Sequence, residues 1–410
     1  MSDSFEKKNI LLLLPYGSVG GMERLALTFY EYYRSVGHNV KAVKFIKLKS
    51  DIINFGDDEL FLSTQDFNGM SSWSRNTFYL KAPRKIRKII KDLEITHSIA
   101  FGDMANLFSS LTFTKEYKIG SIHALKSVEL SSPTTFNKLV SLGYRSSYKH
   151  LNKLVCISKS INKDLKENCG YRFDNLEVIY NPHNIERLVS LSNEEIEDEW
   201  ERDLFNAETV LFLGRLSVQK SPWHLIHAFK ILTETRPDAK LIFIGDGDQQ
   251  VLNYIKTLSK KLDLDKKIIF LGRKNNPYKY LKKAGCLALT SNYEGTPNVI
   301  VESIALGTPT VSSYCTAGIL ELMTVNDSVI YDDKSLLNVE AGIITPNFYE
   351  GDLDIPKSYN QSPSQKQELF AEALERILKK NAEGKKVVEK RADLLEKFDL
   401  VNIATQYLKI

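Results

Sequence analysis

Short apolar runs alternate with segments of helical periodicity along almost the whole chain. In the front part, apolar runs occupy residues 10–14, 40–46, 98–101, 118–122, 154–157 and 177–180. Residues 22–36 predict a helix, and a second helix is predicted to begin at Pro83, where Ile86, Ile89 and Ile90 repeat at helical spacing. This alternation is typical of a parallel sheet with helices on both faces.

The same rhythm restarts after an acidic connector at residues 191–203. Apolar runs follow at 209–213, 240–244, 267–271, 287–290 and 310–312, and helices are predicted from Pro222, Gln249 and Pro297. A chain of 410 residues exceeds what one core usually supports. We therefore predict an α/β fold with two doubly wound, Rossmann-like domains, 1–190 and 191–390, facing across a cleft. Residues 391–410 are predicted to form a closing helix, and residues 326–364 only the periphery of the second domain.

Composition and charge narrow the class of protein. With 43% hydrophobic and 26% charged residues, the chain is typical of a soluble globular protein. No apolar run reaches the roughly 18 residues of a membrane span, and no export signal is evident. Four cysteines without a CxxC pair suit a reducing cytoplasm.

The charge is distributed unevenly along the chain. Residues 1–190 carry 27 Lys and Arg against 19 Asp and Glu, a net charge of +8, whereas the remainder has 28 against 32, a net charge of −4. This imbalance is too weak for a nucleic-acid partner, but it favours an anionic acceptor or lipid surface. Read as one helix, residues 133–154 place Lys138, Arg145, Lys149 and Lys153 on one face, so we expect peripheral contact with an anionic membrane. The alternative is a solvated basic face.

The strongest chemical motif is EGTPNVIVE, residues 294–302, directly after a predicted strand. Thr296 is expected to cap a helix and Pro297 to lie in its first turn, which would present backbone N–H groups to a phosphate. The residues of this proposed anion site are Gly295, Thr296, Pro297, Asn298 and Val299. The carboxylates of Glu294 and Glu302 are suited to accept hydrogen bonds from the hydroxyls of a ribose and a sugar ring. The alternative is a capping loop with two solvated glutamates.

A second motif, GRLSVQK, follows the strand at 209–213 and contributes Gly214, Arg215 and Lys220. Ligands of open α/β sheets bind at this edge, where two cations could neutralise a pyrophosphate. The alternative is a pair of surface cations beside a helix cap. Asp246 and Asp248 form a DxD sequence that we interpret as turn formers, so no metal is expected.

The first domain offers two weaker signals. Gly20 and Gly21 lie in the loop GSVGGMER, where glycines allow a close backbone approach, although the GxGxxG spacing is missing. His123 follows the strand at 118–122 and falls on the same functional edge. A tight turn and a buried or capping histidine are the alternative interpretations.

In their order along the chain, these segments resemble retaining glycosyltransferase family 4, of GT-B fold and bacterial surface-polysaccharide type. The matching segments are Gly20, Gly21, Glu23 and Arg24, His123, VCISKSI from Val155, IYNPHN from Ile179, FLGRL with Lys220, FIGDG, FLGR from Phe270 to Arg273, and Glu294 with Glu302. Two departures are Ala124 after the histidine and CTAGILE, which lacks the prolines of CPSGP and leaves the donor sugar open.

The resemblance implies a role for each matching residue. Glu302 would bind the donor ribose and Glu294 the transferred sugar, with His123 near its reacting face. Arg215 and Lys220 would bind the pyrophosphate, and Gly21 would form the phosphate side of the first domain. Gly20, Gly214 and Arg273 are further candidates for donor binding. The closing helix would cross back to the first domain, as is usual in this fold.

The implied activity is retaining, metal-independent transfer of a sugar from a nucleoside diphosphate, expected to be UDP. The acceptor would be a saccharide or lipid-linked saccharide in cell-surface polysaccharide or lipopolysaccharide synthesis, with no cofactor. An epimerase of the same fold and a non-catalytic sugar-binding module remain alternatives. A nicotinamide-dependent dehydrogenase is not favoured, because it would need a GxGxxG spacing that the GSVGG loop lacks. We expect a cytoplasmic protein, peripheral on the inner face of the membrane.

Overall fold

The computed structural model describes residues 6–17, 21–130, 134–326, 329–359, 362–385 and 387–409. They form two compact units: Met1–His183 with Phe398–Ile410, and Asn184–Lys397. The predicted boundaries at 190 and 391 differ from this division. Residues 185–192 form a helix that packs on helices of the second unit, and Arg391 donates a hydrogen bond to the Ala305 carbonyl of that unit.

The first unit is a parallel sheet with helices. Its strands are β1 (Asn9–Leu14), β2 (Asn39–Ile46), β3 (Glu59–Ser63), β4 (His97–Phe101), β5 (Tyr117–Ile122), β6 (Lys153–Cys156) and β7 (Leu176–Val178). Its helices are α1 (Gly21–Ser35), α2 (Ser72–Asp92), α3 (Asp103–Ser110), α4 (Lys126–Glu129), α5 (Thr135–Arg145), α6 (Lys159–Glu167) and, from the end of the chain, α16 (Leu400–Leu408).

The second unit repeats this plan. Its strands are β8 (Thr209–Leu213), β9 (Lys240–Ile244), β10 (Ile268–Gly272), β11 (Cys286–Leu289), β12 (Thr310–Ser313), β13 (Leu337–Val339) and β14 (Gly342–Thr345). Its helices are α7 (Ile185–Ser192), α8 (Glu199–Asp203), α9 (Pro222–Thr235), α10 (Gln249–Lys261), α11 (Tyr278–Lys283), α12 (Asn298–Leu306), α13 (Gly318–Met323), α14 (Gln365–Ala382) and α15 (Arg391–Glu396).

The two sheets share the order of their first five strands and differ in the last two. The first runs β3-β2-β1-β4-β5-β6-β7 with parallel pairs throughout, and the second runs β10-β9-β8-β11-β12-β14-β13. Only the β13–β14 pair of the second sheet is antiparallel within the described strands. The predicted fold class, α/β with two Rossmann-like sheets, is confirmed. In each sheet the order reverses beside the first strand. Ligands of open α/β sheets usually bind at such a switch point.

One predicted helix start is wrong. The helix predicted from Pro83 begins at Ser72 and contains Pro83 in its interior, because the Ser71 hydroxyl accepts a hydrogen bond from the Ser74 N–H and caps α2. A proline inside a helix costs roughly 3 kcal/mol. Pro83 is buried with Ile86, and this packing offsets the lost hydrogen bond.

Residues 326–364 are more than a periphery. They contain β13 and β14, and β14 pairs with β12. Ile343 and Ile344 of β14 are buried, and Phe348 stacks on His224 with ring centroids 4.4 Å apart. This strand was missed because its four residues lie in a segment rich in turn formers.

The segment 133–154 is not one helix. Pro133 lies outside the described residues, α5 covers Thr135–Arg145, and β6 begins at Lys153. Lys153 is buried and pairs with Glu177 at 3.1 Å, so it does not belong to an exposed basic face. Lys138, Arg145 and Lys149 are exposed, as predicted.

Helix α16 completes the core of the first unit. Tyr407 and Phe29 lie with ring centroids 4.7 Å apart, and the Tyr33 hydroxyl donates to the Ala404 carbonyl at 2.9 Å. The Lys153 ammonium donates to the Gln406 carbonyl at 2.8 Å. Within the described part of the chain, every helix is too short or too polar to traverse a bilayer.

Candidate active site

The loops after β8 and β9 approach each other closely at the carboxyl edge of the second sheet. A Cβ on Gly245, whose φ is +142°, would lie 1.9 Å from the Gly214 carbonyl oxygen. The Leu216 N–H donates to the Asp246 carbonyl at 2.8 Å, and the Asp248 N–H donates to the Leu216 carbonyl at 2.8 Å. Only glycine fits at position 245, and its absence of a side chain allows this loop to pack against the loop that carries Arg215.

Lys220 and Glu294 form an ion pair of 2.5 Å at this edge. Their side chains are only 15% and 10% exposed, so the pair is largely withdrawn from solvent. The two residues come from the loops after β8 and β11, which are neighbouring strands. The structure thus brings together two residues that lie 74 positions apart in the sequence.

Hydrogen bonds tie the Lys220 loop to the Glu294 loop. The Gln219 amide donates to the Tyr293 carbonyl at 3.0 Å, and the Asn292 N–H donates to the Gln219 carbonyl at 2.8 Å. The Thr290 hydroxyl lies 3.2 Å from the Lys220 carbonyl and 3.1 Å from the Ser221 carbonyl. These contacts hold both charged side chains in place without using their charged ends.

Helix α12 starts one residue later than predicted. It begins at Asn298 with Pro297 as N-cap, in an extended conformation of ψ 110°, and no side chain caps it. Thr296 is therefore not the cap, and Pro297 supplies no N–H group to an anion site. The first-turn N–H group of Val299 remains as a donor at a helix start that no side chain caps.

One hydroxyl in the loop after β8 and one just before α12 are buried without a partner. In the part of the chain that the structure describes, Thr296 Oγ1 and Ser217 Oγ make no hydrogen bond. A buried polar atom without a partner costs about 1–3 kcal/mol. Such a cost is typical of a site whose hydrogen bonds are completed by a ligand.

Glu302 lies in the second turn of α12 and is partly exposed. The Tyr278 hydroxyl of α11 donates to Glu302 Oε1 at 3.3 Å. The carboxylate is thus contacted by a neighbouring helix on a residue that is partly exposed. That placement is compatible with the predicted contact to a ribose.

Arg215 and Arg273 are more exposed than Lys220. The Arg215 guanidinium lies 3.5 Å from the Gln219 amide oxygen, and Arg273 lies 4.0 Å from Asp246. The Asp248 carboxylate accepts from the Gln250 N–H at 2.7 Å and caps α10, so one member of the DxD sequence has a structural partner. Among the described residues, no group of three or more His, Cys, Asp and Glu side chains is placed to hold a metal ion.

In the first unit, Gly20 lies outside the described residues, and Gly21 is the first residue of α1. Gly17, at the start of the same loop, serves packing. A Cβ there would lie 2.5 Å from the Lys44 ammonium nitrogen, and buried Lys44 pairs with Asp51 at 3.1 Å and Glu59 at 2.8 Å. This glycine makes room for a buried ionic cluster beneath the loop.

His123 follows β5 at the carboxyl edge of the first sheet and is partly buried. Burial and, secondarily, the charge of Lys126 lower the pKa of its imidazole to about 3. The ring is therefore neutral at physiological pH. Its Nε2 atom lies 2.8 Å from the Ser121 hydroxyl oxygen.

Several residues of this arrangement carry no sequence signal of their own. Gln219 and Asn292 donate hydrogen bonds to backbone carbonyls of neighbouring loop residues. Ser121 of β5 contacts His123, and Asn106 of α3 bonds to Ser121. Such roles depend on which loops become neighbours. These roles could have been predicted only from the order of the strands in each sheet, which cannot be read directly from the sequence.

Two family models match the chain in succession. The model described as Glycosyltransferase Family 4 matches residues 19–187, and the model described as Glycosyl transferases group 1 matches residues 193–344. Each match covers most of one compact unit. The second contains the loops of Lys220 and Glu294 together with α12.

Relatives of similar sequence include two glycosyltransferases. An uncharacterised glycosyltransferase of Methanocaldococcus jannaschii is 30% identical over 265 residues, which make up 62% of this chain and 64% of that protein. The N-acetylgalactosamine-N,N'-diacetylbacillosaminyl-diphospho-undecaprenol 4-alpha-N-acetylgalactosaminyltransferase of Campylobacter jejuni is 29% identical over 254 residues, 60% of this chain and 65% of that protein. The matches thus span less than two thirds of either relative.

A solved structure supports the fold. Anabaena HepE in complex with UDP and glucose is 18% identical, with a TM-score of 0.71 over 97% of this chain and 98% of that one. Two Rossmann-like sheets and this likeness define the class as a GT-B fold. The chain belongs to the group 1, family 4 glycosyltransferases, as the two consecutive family matches show.

Proposed function

We propose that the protein transfers a sugar from a nucleoside diphosphate, specifically UDP, to a saccharide or lipid-linked saccharide. The second unit binds the donor, and the first unit binds the acceptor. Family membership supports sugar transfer, and the UDP and glucose bound to HepE support the choice of donor. The Campylobacter relative, named for a diphospho-undecaprenol substrate, supports a lipid-linked acceptor in cell-surface polysaccharide or lipopolysaccharide synthesis.

The observation that carries this proposal is the Lys220–Glu294 pair beside the uncapped start of α12. Donor phosphates would accept hydrogen bonds from the Val299 N–H group and from the buried Thr296 hydroxyl. Lys220 and Arg215 would supply positive charge. Glu294 would then accept hydrogen bonds from sugar hydroxyls, and Glu302 from those of the ribose.

We further propose that transfer retains the anomeric configuration. Fixed positive charge stabilises the departing diphosphate, so its oxygen can take the proton of the acceptor hydroxyl that attacks from the same face. The C–O bond to the diphosphate breaks as the bond to the acceptor forms. Double displacement through Glu294 is less favoured, because that carboxylate is paired with Lys220.

Metal independence is part of the proposal. Lys220, Arg215 and the α12 N–H groups can provide the charge that a divalent cation provides in other transferases. Asp248, the second aspartate of the DxD sequence, is already occupied as a helix cap. The nucleoside diphosphate sugar is a co-substrate, and no other cofactor is required by this scheme.

The proposed membrane contact is formed by α2 and α5 of the first unit. Trp73 and Leu80 of α2 are 79% and 74% exposed, Leu142 of α5 is 59% exposed, and Tyr79 and Phe136 join the two helices with ring centroids 6.2 Å apart. The exposed cations of these helices are Lys81, Arg84, Lys85, Lys88, Lys91, Lys138 and Arg145. Apolar and basic side chains together favour an anionic bilayer.

Flotation with vesicles tests this contact. Wild-type protein should float with vesicles containing anionic lipid and much less with zwitterionic vesicles. Neutralising Lys81, Arg84 and Lys88 to Gln should abolish the preference, whereas the same change at Lys260, Lys261 and Lys266 of the second unit should preserve it. Equal flotation of both variants would contradict the contact and leave the proposed transfer unaffected.

A donor screen that measures nucleoside diphosphate release tests the catalytic proposal. Incubated with a panel of UDP- and GDP-sugars and candidate acceptors, the protein should release UDP faster when an acceptor is present. Acceptor-independent conversion of the donor to its epimer would favour an epimerase. Binding without release from any donor would favour a sugar-binding module.

A further inference from the structure

The hydrogen bonds around His123 determine which nitrogen of its ring carries the proton. The Ser121 hydroxyl donates to the Ala100 carbonyl at 2.9 Å, and the same oxygen lies 2.8 Å from His123 Nε2. A serine hydroxyl has one proton, and a neutral imidazole has one N–H. Because the Ser121 proton points to Ala100, the second contact is a hydrogen bond only if His123 Nε2 carries a proton.

The opposite arrangement is unfavourable. If Ser121 donated to His123 Nε2, its oxygen would face the Ala100 oxygen at 2.9 Å with no proton between them. Ser121 is fully buried, so water cannot relieve that repulsion. The chain from His123 through Ser121 to Ala100 therefore runs in one direction.

Asn106 of α3 fixes Ser121 in place. Its amide nitrogen donates to the Ser121 carbonyl at 2.9 Å, and its amide oxygen accepts from the Ser121 N–H at 3.1 Å. Asn106 is buried, and a Cβ on Gly120 would lie 2.8 Å from its amide oxygen. The sequence pair Gly120-Ser121 thus admits the asparagine and presents the hydroxyl.

We infer that Asn106 and Ser121 are positioning residues that hold His123 as the Nε2–H tautomer, leaving Nδ1 to accept a hydrogen bond from a hydroxyl of the bound saccharide. In the described part of the chain, Nδ1 has no hydrogen-bond partner. The contact of Nδ1 with a saccharide rests on the proposed function, whereas the Nε2–H tautomer rests only on the hydrogen bonds of Ser121. His123 then acts as a fixed acceptor and not as a general acid.

The neighbouring charges are consistent with a neutral ring. Lys126 lies three residues beyond His123, is buried, and pairs with Asp103 at 2.8 Å and Glu129 at 2.5 Å. Its positive charge opposes protonation of the imidazole and, with burial, accounts for the lowered pKa of His123. The ring should keep a single N–H over the pH range in which the protein is assayed.

Long-range ¹H–¹⁵N NMR of the full-length protein tests the tautomer without any substrate. The His123 signals are assigned by their loss in His123→Gln. They should show a protonated Nε2 and an unprotonated Nδ1 between about pH 6 and pH 8. A protonated Nδ1, or a doubly protonated ring, would overturn the inference. This measurement stands even where a Ser121 variant fails to fold.

Two serine variants test the positioning role. Ser121→Ala should disturb the His123 signals and lower kcat/KM for the saccharide by about threefold to tenfold, the effect of one lost hydrogen bond, with nucleoside diphosphate affinity unchanged. Ser110→Ala is the matched control, since buried Ser110 donates to the Leu107 carbonyl and is bonded to Ser147 instead. Unchanged His123 signals and kinetics in Ser121→Ala would overturn the role.

The outcomes separate this inference from the proposed function. A preparation with the expected tautomer that turns over no nucleotide sugar contradicts the function and leaves the tautomer intact. An active preparation with the opposite tautomer overturns the inference alone. Ser121→Thr, which retains a hydroxyl, should restore both the His123 signals and the kinetics.

Discussion

The Lys220 ammonium pairs with the carboxylate of Glu294 in the free protein. In the proposed complex it also interacts with the donor phosphates. With only 15% of its side chain exposed, the ammonium interacts more strongly than a surface lysine would. Charge fixed in this way stabilises a leaving diphosphate most as its negative charge grows. The contribution of Lys220 should therefore appear in turnover more than in binding.

Lys220→Ala should lower kcat by roughly 100-fold or more, the range found when one preorganised charge is removed. Arg215→Ala should lower kcat in the same direction. Lys230→Ala, a change to a partly exposed lysine on α9, should have no effect. Steady-state kinetics with a fixed donor measures all three. Near-normal turnover in Lys220→Ala would rule out its leaving-group role.

Glu302 belongs to the nucleoside end of the site. Glu302→Ala should weaken nucleoside diphosphate binding by about 1.5–3 kcal/mol, the contribution typical of a hydrogen bond to a charged group. The fold should survive, because the residue is partly exposed. Calorimetric titration with UDP measures the loss. Affinity equal to that of the wild type would exclude the ribose contact.

At the scale of elements, the start of α12 combines an uncapped helix with a hydroxyl that has no partner. Thr296→Val keeps the shape of the side chain and removes the unsatisfied hydroxyl, so thermal stability should stay constant or rise while UDP affinity falls. Thr290→Val is the control, because the Thr290 hydroxyl bonds to the Lys220 loop. That variant should lose stability. A stability loss in Thr296→Val would mean that its hydroxyl has a partner in the free protein.

The elements of the site were predictable because each motif follows a strong apolar run. Strands at 209–213 and 240–244 and the helices from Pro222 and Gln249 lie where the pattern placed them. The carboxyl ends of parallel strands meet at one edge, so the loops of Lys220 and Glu294 could be assigned to one site. The cap of α12 was misplaced because Thr296 and Pro297 both suit a helix start, and only ψ decides between them.

Other elements were beyond a pattern-based prediction. Strands β3, β13 and β14 have three to five residues each, too few for a clear period. Helix α2 continues through Pro83 because packing overrides an unfavourable local preference. The link between Ser121 and His123 depends on side-chain directions inside the sheet, which spacing along the chain does not encode.

At the scale of the whole molecule, helix α16 belongs to the first unit although it follows the second unit in the sequence. Tyr407 is buried against Phe29, whereas Val401 on the same helix is 53% exposed. Removing a large buried aromatic side chain typically costs about 3–5 kcal/mol. The core of the first unit should therefore depend on a segment far from it in sequence.

Tyr407→Ala should reduce the hydrogen-exchange protection of β1 and α1 and leave β8 and β9 protected. Val401→Ala should leave both sheets unchanged, since surface substitutions usually alter stability by less than about 0.5 kcal/mol. Hydrogen exchange with mass spectrometry resolves the two units. Equal loss of protection in both sheets after Tyr407→Ala would contradict an effect confined to the first unit.

The central claim is that fixed protein charge, without a metal ion, supports transfer with retention of configuration. NMR of the anomeric proton coupling of the product, recorded early in the reaction with and without EDTA, tests this most directly. The account predicts a product with the anomeric configuration of the donor, formed at the same rate in both samples. An inverted product, or activity abolished by EDTA and restored by manganese, would contradict it and return Asp246 and Asp248 to consideration as metal ligands.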